Sequence, residues 1–388
     1  MGHVCGVDIV LVVHNQLDYT KGCIASILEY THPPFQIFVV DNGSCEDTVA
    51  YLKQVQQQHP DEIVILRNEK NDGWVKAVNQ GVQASCRPFV CVMNNDVVVT
   101  PFWMDEMMGI AESEKEIGIV NPSWEGKPEH ISVERYAKSL RKFSGQFVEM
   151  DWCRGFCFLF KRSVVHAIQG LDPVFDPGYF DDWDFSVRAA QAGFRCVLAK
   201  GAFVYHYQNA TSVDVFNKSS FHALFERHRK IFYQRWGVPL RIVFIVDPAM
   251  QGHQRVLQEL FSKLLRQQHK LSVWSAVRSM DFPRHTNLRM NYVPSGLIPL
   301  VSFFRLWNNV QRSEEKRYDA VFLFHRAHHR LLKRLGGRLN ISLIETNGTG
   351  NFAEAILAAS KNAWARKKEH VLAHLGQGGR PNIEEKRQ

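Results

Sequence analysis

The sequence places amide and acidic side chains where a metal site could form. Asn94, Asn95 and Asp96 interrupt the apolar run "FVCVMNNDVVVT". A carboxylate flanked by amides offers hard oxygen ligands that suit Mg²⁺ or Mn²⁺, which bind one or two carboxylates together with phosphate oxygens. The motif therefore predicts a metal that bridges a diphosphate. A plain turn at the end of a strand is the alternative, because Asn and Asp favour turns.

A second acidic group lies in "GYFDDWDFSVRAAQAGF", where Asp181, Asp182 and Asp184 precede and enter a predicted helix. A helix dipole stabilises acids in its first turn, so one of them could be a cap. Close carboxylates repel, and this raises the pKa of at least one towards the range that a general base needs. Arg188, four residues after Asp184, offers that acid an ion-pair partner, so Asp182 is the better candidate for the base.

A single histidine, His206, ends the β-rich run of "FVYHYQNATS". Such a histidine is often merely packed or exposed. A neutral imidazole is also a common metal ligand, and His206 would then complete the metal site.

Two further stretches favour contacts with a nucleotide. In "VVDNGSCEDT" a strand ends on Asp41 and the chain turns, so Asp41 could accept hydrogen bonds from a base or ribose. In "NEKNDGWVKAVNQG" the chain turns at Gly73 into a helix that carries Asn79. Neither stretch is a P-loop or a Gly-x-Gly-x-x-Gly fingerprint, which disfavours kinases and dehydrogenases.

These residues follow the strands of a predicted parallel sheet. Four apolar runs alternate with helical patterns, at residues 7–14, 35–41, 62–68 and 88–94. Strands buried on both faces and joined by helices indicate a doubly wound α/β fold, whose ligands bind at the carboxyl ends of the strands. The polar clusters fall at those ends, including His14 and Asn15 after the first run.

The pattern restarts after "YQRWGVPL", residues 233–240, with "RIVFIVD", a helical "HQRVLQELFSKLLRQQ" and "KLSVWSAV". A further unit reads "YDAVFLFH", "RAHHRLLKRLGG" and "NISLIE". We predict a first domain over residues 1–237 and a second, smaller Rossmann-like α/β domain over 238–388, with a disordered tail from about residue 375.

Charge divides along the same boundary. The 47 Lys+Arg and 39 Asp+Glu split into 23 and 28 for residues 1–237, net −5, and 24 and 11 for 238–388, net +13, which sum to +8. No apolar run is long enough for a membrane span, and the first residues lack a signal peptide's features, so a cytoplasmic protein is expected. The eight cysteines form no Cys-x-x-Cys pair, which disfavours a zinc or redox site.

Taken in order, the motifs resemble family 2 glycosyltransferases of the GT-A fold, especially their rhamnosyltransferase-like bacterial branch. The matching pieces, over about residues 7–236, are "VVHNQ", "VVDNGSCEDT", "NDGWVKAVNQG", "VMNNDVVV" in place of the family's Asp-x-Asp, "GFCFLFKRSVV", "FDDWDFSVRAAQAGF" in place of its Glu-Asp segment, and "HYQNATS". The resemblance implies an inverting, metal-dependent enzyme that moves a sugar from a nucleoside-diphosphate donor to an acceptor hydroxyl. Cell-surface polysaccharide or glycolipid synthesis is the implied setting.

The resemblance also implies roles for single residues. Asp96 and His206 would hold Mg²⁺ or Mn²⁺, and Asp182 would be the catalytic base with Asp181 beside it. The substrate and its nucleotide would be bound by His14, Asn15, Asp41, Asn71, Gly73, Asn79, Asn94, Asn95, Trp152 and Gly155. The chain departs from the family at Asn94, where many relatives have Asp, and at Asp181, where most have Glu.

Residues 238–388 resemble, more weakly, the N-terminal Rossmann-like half of family 4 glycosyltransferases of the GT-B fold. That half mainly meets the acceptor, and the other half, which binds the nucleotide sugar, has no counterpart in this sequence. The resemblance implies an acceptor-binding appendage or part of a longer bifunctional chain. The acceptor would be a saccharide or a lipid-linked saccharide.

Two other functions compete with this hypothesis. A sugar nucleotidyltransferase needs a Gly-rich basic loop after its first strand, where this chain has "HNQLDYTKG". A non-catalytic protein could instead bind a nucleotide sugar, a glycan or an anionic surface. The basic stretches "RAHHRLLKRLGGR" and "FFRLWNNVQR" would allow peripheral contact with the inner face of an anionic membrane. Ordinary helices with one solvated face are the alternative. Nucleic-acid binding is disfavoured.

Overall fold

The structure is a computed structural model that divides into two compact units, Met1–His228 and Arg229–Gln388. It describes residues 6–207, 218–246, 248–277, 282–294, 297–308, 317–324, 342–345 and 352–374. Among these, no helix is both long enough and apolar enough to cross a membrane.

The first unit is built on one large sheet. Its strands are β1 Val7–Val13, β2 Phe35–Asn42, β3 Ile63–Asn68, β4 Phe89–Asn94, β5 Val97–Val99, β6 Ile117–Ser123, β7 Phe147–Glu149, β8 Cys157–Lys161 and β9 Arg195–His206. Their order across the sheet is β3-β2-β1-β4-β8-β6-β9-β5, with β7 paired to β9. Strands β1 to β4 are the four predicted apolar runs, and every residue of β1 is buried.

The strands that carry the predicted site run in the same direction. β1 pairs in parallel with β2 and β4, and β2 pairs in parallel with β3. Beyond β4 the sheet is mixed, because β8 is antiparallel to β4 and β6 whereas β9 is parallel to β6. The carboxyl ends of β1 to β4 therefore share one edge of the sheet, as the predicted fold requires.

Helices cover both faces of this sheet. They are α1 Leu17–Tyr30, α2 Glu46–Gln58, α3 Trp74–Ala84, α4 Trp103–Ser113, α5 Val133–Leu140, α6 Arg162–Ile168, α7 Asp181–Gln191 and α8 Lys218–Trp236, with 3₁₀ turns at Arg141–Phe143 and Pro173–Phe175. Helix α1 shows why they form: it buries Thr20, Cys23, Ile24 and Ile27, the i, i+3, i+4, i+7 spacing of an amphipathic helix.

Alternate residues of β1 supply two separate apolar cores. Ile9 and Leu11 pack into one core with residues of α1, α2 and α4, whereas Val10 and Val12 pack into the other with residues of α3, α6 and α7. This is the period of two that a strand buried on both faces must show. The expected fold class, a doubly wound and mostly parallel α/β sheet, is confirmed.

A buried ion cluster closes the amino edge of the sheet. Asp8 is 0% exposed, and its Oδ1 lies 2.7 Å from Nη1 of Arg87. Its Oδ2 accepts backbone N–H groups of Cys86 and Arg87, both at 2.7 Å, and lies 3.6 Å from Nη2 of Arg162. Both oxygens are satisfied, so this carboxylate ties β1 to the segments before β4 and at the start of α6.

The second unit is a smaller sheet whose strand pairs are all parallel among the described residues. Its strands are β10 Arg241–Val246, β11 Lys270–Ser275, β12 Leu288–Tyr292, β13 Ala320–Leu323 and β14 Ser342–Glu345. Its helices are α9 Gln254–Arg266, α10 Ile298–Trp307 and α11 Phe352–His374, with a 3₁₀ turn at Pro248–His253. The order β12-β11-β10-β13-β14 is a Rossmann-like arrangement, so the expected second α/β domain is confirmed.

Some predictions about the second half lie outside the described residues. The helical stretch "RAHHRLLKRLGG" and the tail from residue 375 belong there, as does the end of "FFRLWNNVQR". The compact units divide at His228, within α8, whereas the sequence places the boundary after Gly237. That boundary stays a prediction.

Candidate functional site

The turn after β4 brings Asp96 and His206 together. β5 pairs antiparallel with β9 so that Val97 faces His206, and the N–H of Tyr207 donates to the carbonyl of Asp96 at 3.0 Å. Oδ1 of Asp96 lies 3.2 Å from Nε2 of His206. Both atoms are buried, and neither makes a hydrogen bond to the described part of the chain, because the contact is not aligned as one. Buried polar atoms without hydrogen bonds require an explanation.

This pair fits a divalent cation. Neighbouring ligands of an octahedral ion, each bound at about 2.1 Å, lie about 3 Å apart, close to the Asp96–His206 separation. Within the described ranges, no group of three or more His, Cys, Asp or Glu residues could hold a metal. Two protein ligands suit Mg²⁺ or Mn²⁺, whose other positions are filled by phosphate oxygens and water.

A stacked phenyl ring fixes the plane of the imidazole. The Phe156 ring lies 4.7 Å from that of His206 at an interplanar angle of 13°. Phe156 also accepts, through its carbonyl, the backbone N–H of Asn94 at 2.8 Å. Sequence reasoning missed Phe156, although it is part of the "GFCFLF" motif.

The other two polar residues of the turn have different surroundings. Asn95 is 4% exposed, and its Nδ2 donates to Oγ1 of Thr20 at 2.9 Å, which anchors the turn to α1. Asn94 is half-buried at the end of β4, and its carbonyl accepts the thiol of Cys23 at 3.7 Å. Of the pair, only Asn94 therefore has a partly exposed side chain.

The paired acids begin α7. Asp181 is 5% exposed, and its Oδ2 accepts the indole N–H of Trp74 at 3.2 Å. Burial, and then the neighbouring Asp182, raise the pKa of Asp181 to about 8, although the backbone N–H groups of Asp181 and Tyr179 partly offset the rise. Asp181 consequently keeps its proton near neutral pH. Trp74, from the "NDGW" motif, is a contact that sequence reasoning missed.

Asp182 is half-buried and held by backbone amides. Its Oδ2 accepts the N–H of Gly155 at 3.1 Å, and its Oδ1 accepts the N–H of Trp183 at 2.9 Å. The third acid, Asp184, is fully buried and pairs with Nε of Arg188 at 2.6 Å, so its expected structural role is confirmed. Asp182 is thus the member of the trio that substrate could reach.

The loop before β8 links the two groups of candidates. Gly155 contacts Asp182, and the next residue, Phe156, stacks on the His206 ring. In the same loop, the Trp152 ring lies 3.9 Å from that of Trp183. The guanidinium of Arg154 lies 4.4 Å from the centre of the Trp152 ring, which brings a cation to this loop.

Asp41 is buried against an arginine that sequence reasoning missed. Asp41 is 1% exposed. One of its carboxylate oxygens accepts a hydrogen bond from Nη1 of Arg67, and the other accepts one from the backbone N–H of Ser44 at 3.0 Å. The parallel register places Arg67 directly opposite Asp41. Arg67 also donates to the carbonyl of Ser44 at 3.1 Å, and its side chain is 42% exposed. The sequence places Arg67 near the end of the next predicted strand, but the register that sets it opposite Asp41 belongs to the folded sheet.

His14 and Asn15 join the loops that follow β1 and β2. Nδ1 of His14 lies 3.0 Å from the carbonyl of Asn42, and Oδ1 of Asn15 accepts the N–H of Cys45 at 2.8 Å. The N–H of Asn15 donates to Oγ of Ser44 at 2.9 Å. Both predicted residues therefore lie beside the Asp41 loop.

Asn71 and Gly73 lie against the same loop. Oδ1 of Asn71 accepts Nδ2 of Asn42 at 2.9 Å and the N–H of Gly73 at 3.0 Å. Gly73 has φ 94°, and a Cβ there would lie 2.4 Å from a carboxylate oxygen of Asp176, so this position requires glycine.

Asn79 binds a different part of the chain. Its side-chain amide donates to the carbonyl of Leu171 at 2.8 Å and accepts the N–H of the same residue at 3.0 Å. This double hydrogen bond explains why a helix-disfavouring residue stands inside α3. It clamps α3 to the 3₁₀ turn that leads towards α7.

Comparison with known proteins finds sequence similarity to glycosyltransferases. Residues 8–168 match the family described as Glycosyl transferase family 2. An uncharacterised glycosyltransferase of Haemophilus influenzae is 23% identical over 288 residues, which are 66% of this chain and 86% of the relative. Poly-β-1,6-N-acetyl-D-glucosamine synthase of Staphylococcus epidermidis is 25% identical over 187 residues, 45% of this chain and 42% of the synthase.

Among solved structures, S. aureus TarS 1–349 in complex with UDP-GlcNAc is similar to this chain with a TM-score of 0.46 and 11% identity, covering 60% of this chain and 66% of TarS. A likeness of this size carries no functional argument. The chain spans 25%, 54% and 42% of the length of three curated relatives.

Proposed function

We propose, from the premise that residues 8–168 form a family 2 glycosyl transferase domain, that this chain transfers a sugar from a nucleoside-diphosphate donor to an acceptor hydroxyl with inversion. One observation carries the proposal: Oδ1 of Asp96 and Nε2 of His206 lie 3.2 Å apart, both buried and neither hydrogen-bonded to a described residue of the chain. The name of the staphylococcal polysaccharide synthase supports a saccharide acceptor in cell-surface polysaccharide synthesis.

Asp96 and His206 would hold Mg²⁺ or Mn²⁺ on the donor diphosphate. Such an ion, when bound, acts as a Lewis acid that stabilises negative charge on the leaving group. The chain contributes preorganisation, because β5–β9 pairing sets the separation of the two side chains and Phe156 fixes the imidazole plane. Arg154, in the adjoining loop, does not add a net positive charge, because its guanidinium lies 3.7 Å from the buried carboxylate of Asp151.

The nucleoside would lie over the loops after β1, β2 and β3. Arg67 presents a partly exposed guanidinium there, with Asp41 holding its orientation. Asn71 and Gly73 shape the adjacent backbone. In this proposal Asp41 acts on the nucleotide together with Arg67 rather than as an isolated carboxylate.

Asp182 would be the general base. The acceptor hydroxyl donates its proton to the Asp182 carboxylate while its oxygen bonds to the anomeric carbon, opposite the breaking bond to the diphosphate, and this in-line geometry inverts the configuration. The N–H groups of Gly155 and Trp183 hold the carboxylate in place. Because Asp181 is protonated near neutrality, it adds no second negative charge beside the base.

The test is turnover of Asp182→Asn. Nucleoside-diphosphate release would be measured over a panel of nucleotide sugars with Mn²⁺ or Mg²⁺ and saccharide acceptors, and the anomeric configuration of the product would be read by NMR. We expect turnover to fall about 10³-fold, since the base is lost while the fold and metal ligands remain. The matched control is Asp105→Asn, whose carboxylate is about half exposed on α4. Full turnover in Asp182→Asn would overturn the base assignment.

A further inference from the structure

The turn that precedes α7 is strained. Tyr179 and Phe180 have φ of 70° and 67°, the left-handed region, and both are bulky aromatic residues. A left-handed conformation is unfavourable for such a residue and persists only where the surrounding structure enforces it. Strain of this kind concentrates at functional sites, and here it lies directly before Asp181 and Asp182.

The strained turn delivers the two acids to their positions. Phe180 is the last residue before α7, and its carbonyl accepts the N–H of Asp184 at 2.9 Å, which starts the helix. Relaxing the turn to an extended backbone would therefore move Asp181 and Asp182 together.

One face of α8 enforces this turn. Phe221, Phe225 and His228 stand at i, i+4 and i+7 on that helix. The Phe221 ring lies 5.0 Å from Tyr179, and the Phe225 ring lies 5.1 Å from Phe180. These ring contacts cover both strained residues with apolar surface.

The polar member of that face is His228. Its Nδ1 lies 2.8 Å from the carbonyl of Gly178, and a carbonyl can only accept, so Nδ1 carries the proton. The residue is 0% exposed, and its Nε2 is buried without a hydrogen bond in the described part of the chain. Burial lowers the pKa of His228, which keeps the ring neutral in this tautomer. Burying an imidazole with a hydrogen bond at only one of its two nitrogens lowers the stability of the fold. We therefore look for a function of the hydrogen bond to Gly178.

We propose that His228 is a positioning residue: by holding the Gly178 carbonyl it keeps the left-handed turn Tyr179–Phe180 in place and so aims Asp182 at the acceptor. The inference rests on the proposed function, because it assumes that Asp182 is the base. The hydrogen bond of His228 is made to the backbone at Gly178, so it acts on the acids through the backbone of residues 178–180.

The experiment compares His228→Leu with His228→Asn. Leucine fills the space without a donor, and we expect kcat to fall about 10- to 50-fold while the KM for the nucleotide sugar stays within about twofold, because a misplaced base weakens the transition state more than donor binding. Asparagine places an N–H near the position of Nδ1, and we expect it to restore kcat to within about threefold of wild type. The control on the same helix is His222→Leu, with kcat unchanged.

A second variant covers a failure of His228→Leu to fold. Phe225→Leu keeps an apolar side chain but removes the ring contacts with Tyr179 and Phe180, and we expect kcat to fall about threefold at unchanged donor KM. Normal kcat in a folded His228→Leu protein, or in Phe225→Leu if the former does not fold, would overturn the positioning role. If Asp182→Asn loses turnover and the His228 variant does not, only this inference fails; if Asp182→Asn keeps full turnover, the proposed function fails and the inference with it.

Discussion

Two buried aspartates stand at opposite edges of the first sheet, and their surroundings differ. Asp8, at the amino edge, is 0% exposed and binds Arg87, Arg162 and two backbone N–H groups. Asp96, past the carboxyl edge, is 3% exposed; its Oδ1 lies 3.2 Å from the imidazole of His206 and makes no hydrogen bond to the residues that the structure describes. The two aspartates are therefore both buried, and they differ in whether both of their carboxylate oxygens have hydrogen-bond partners among the described residues.

This difference in bonding suggests different roles for the two aspartates, one in stability and one in ligand binding. A carboxylate whose oxygens are all bound gives the folded state its stabilisation and can bind nothing else. A carboxylate with an unsatisfied buried oxygen costs stability, and such a cost is typical of a site that is completed by a ligand. We therefore expect the amino edge to serve stability and the carboxyl edge to bind the ligand, as the carboxyl ends of parallel strands do in such folds.

The largest expected effect is on the activity of Asp96→Asn. We expect metal-dependent turnover to fall about 10³-fold or more, because one of two protein ligands is lost. The thermal midpoint without metal should stay the same or rise, since an unsatisfied buried charge is removed. Turnover assays and thermal shift with nucleoside diphosphate and Mn²⁺ would check both, with Asp105→Asn as the control. An undiminished metal response would contradict the assignment.

Asp8→Asn should show the reverse pattern. Leaving Arg87 and Arg162 without their buried partner is expected to lower the free energy of unfolding by about 3 kcal/mol. The kcat per folded molecule should match wild type, because Asp8 lies at the edge away from the site. Denaturant titration and active-site-normalised kinetics measure the two quantities. If Asp8→Asn lost activity without losing stability, the proposed structural role of Asp8 would be wrong.

Asp181 is a third buried aspartate, and its carboxyl group stays protonated instead of forming an ion pair. Its pKa is raised to about 8 in the folded state from 3.8, so between about pH 4 and pH 8 the folded protein holds a proton that the unfolded chain lacks. Stability from this group is therefore fully present below about pH 4 and is lost as pH rises towards 8, at no more than about 1.4 kcal/mol per pH unit.

Asp181→Asn should remove that slope. Denaturant unfolding at pH 5, 6, 7 and 8 would show a smaller loss of stability on raising the pH in the variant than in wild type. The control is Asp61→Asn, at an exposed position before β3, which should keep the wild-type slope. Identical slopes in wild type and Asp181→Asn would mean that Asp181 is ionised across this range.

Much of the fold follows from local patterns in the sequence. The apolar runs predict β1 to β4 to within one residue at each end. The Asp184–Arg188 pair was predictable too, because four residues along a helix always bring two side chains to one face. In each case the information lies within a few residues of chain.

The site depends on contacts that no local pattern contains. Asp96 meets His206 across 110 positions, Trp74 meets Asp181 across 107, and the His228 ring reaches the Gly178 carbonyl across 50. The sequence indicates which residues have suitable chemistry, but their partners depend on strand register and helix packing over long separations.

The sequence by itself determined that polar residues end a series of parallel strands, and it therefore predicts a ligand site at their carboxyl edge. Only the tertiary structure decided which of those residues are already satisfied, as Asp41 is by Arg67, and which are left unsatisfied, as Asp96 and His206 are. The physical reason is that hydrogen-bond satisfaction and desolvation are properties of the packed chain, set by neighbours that are distant in sequence.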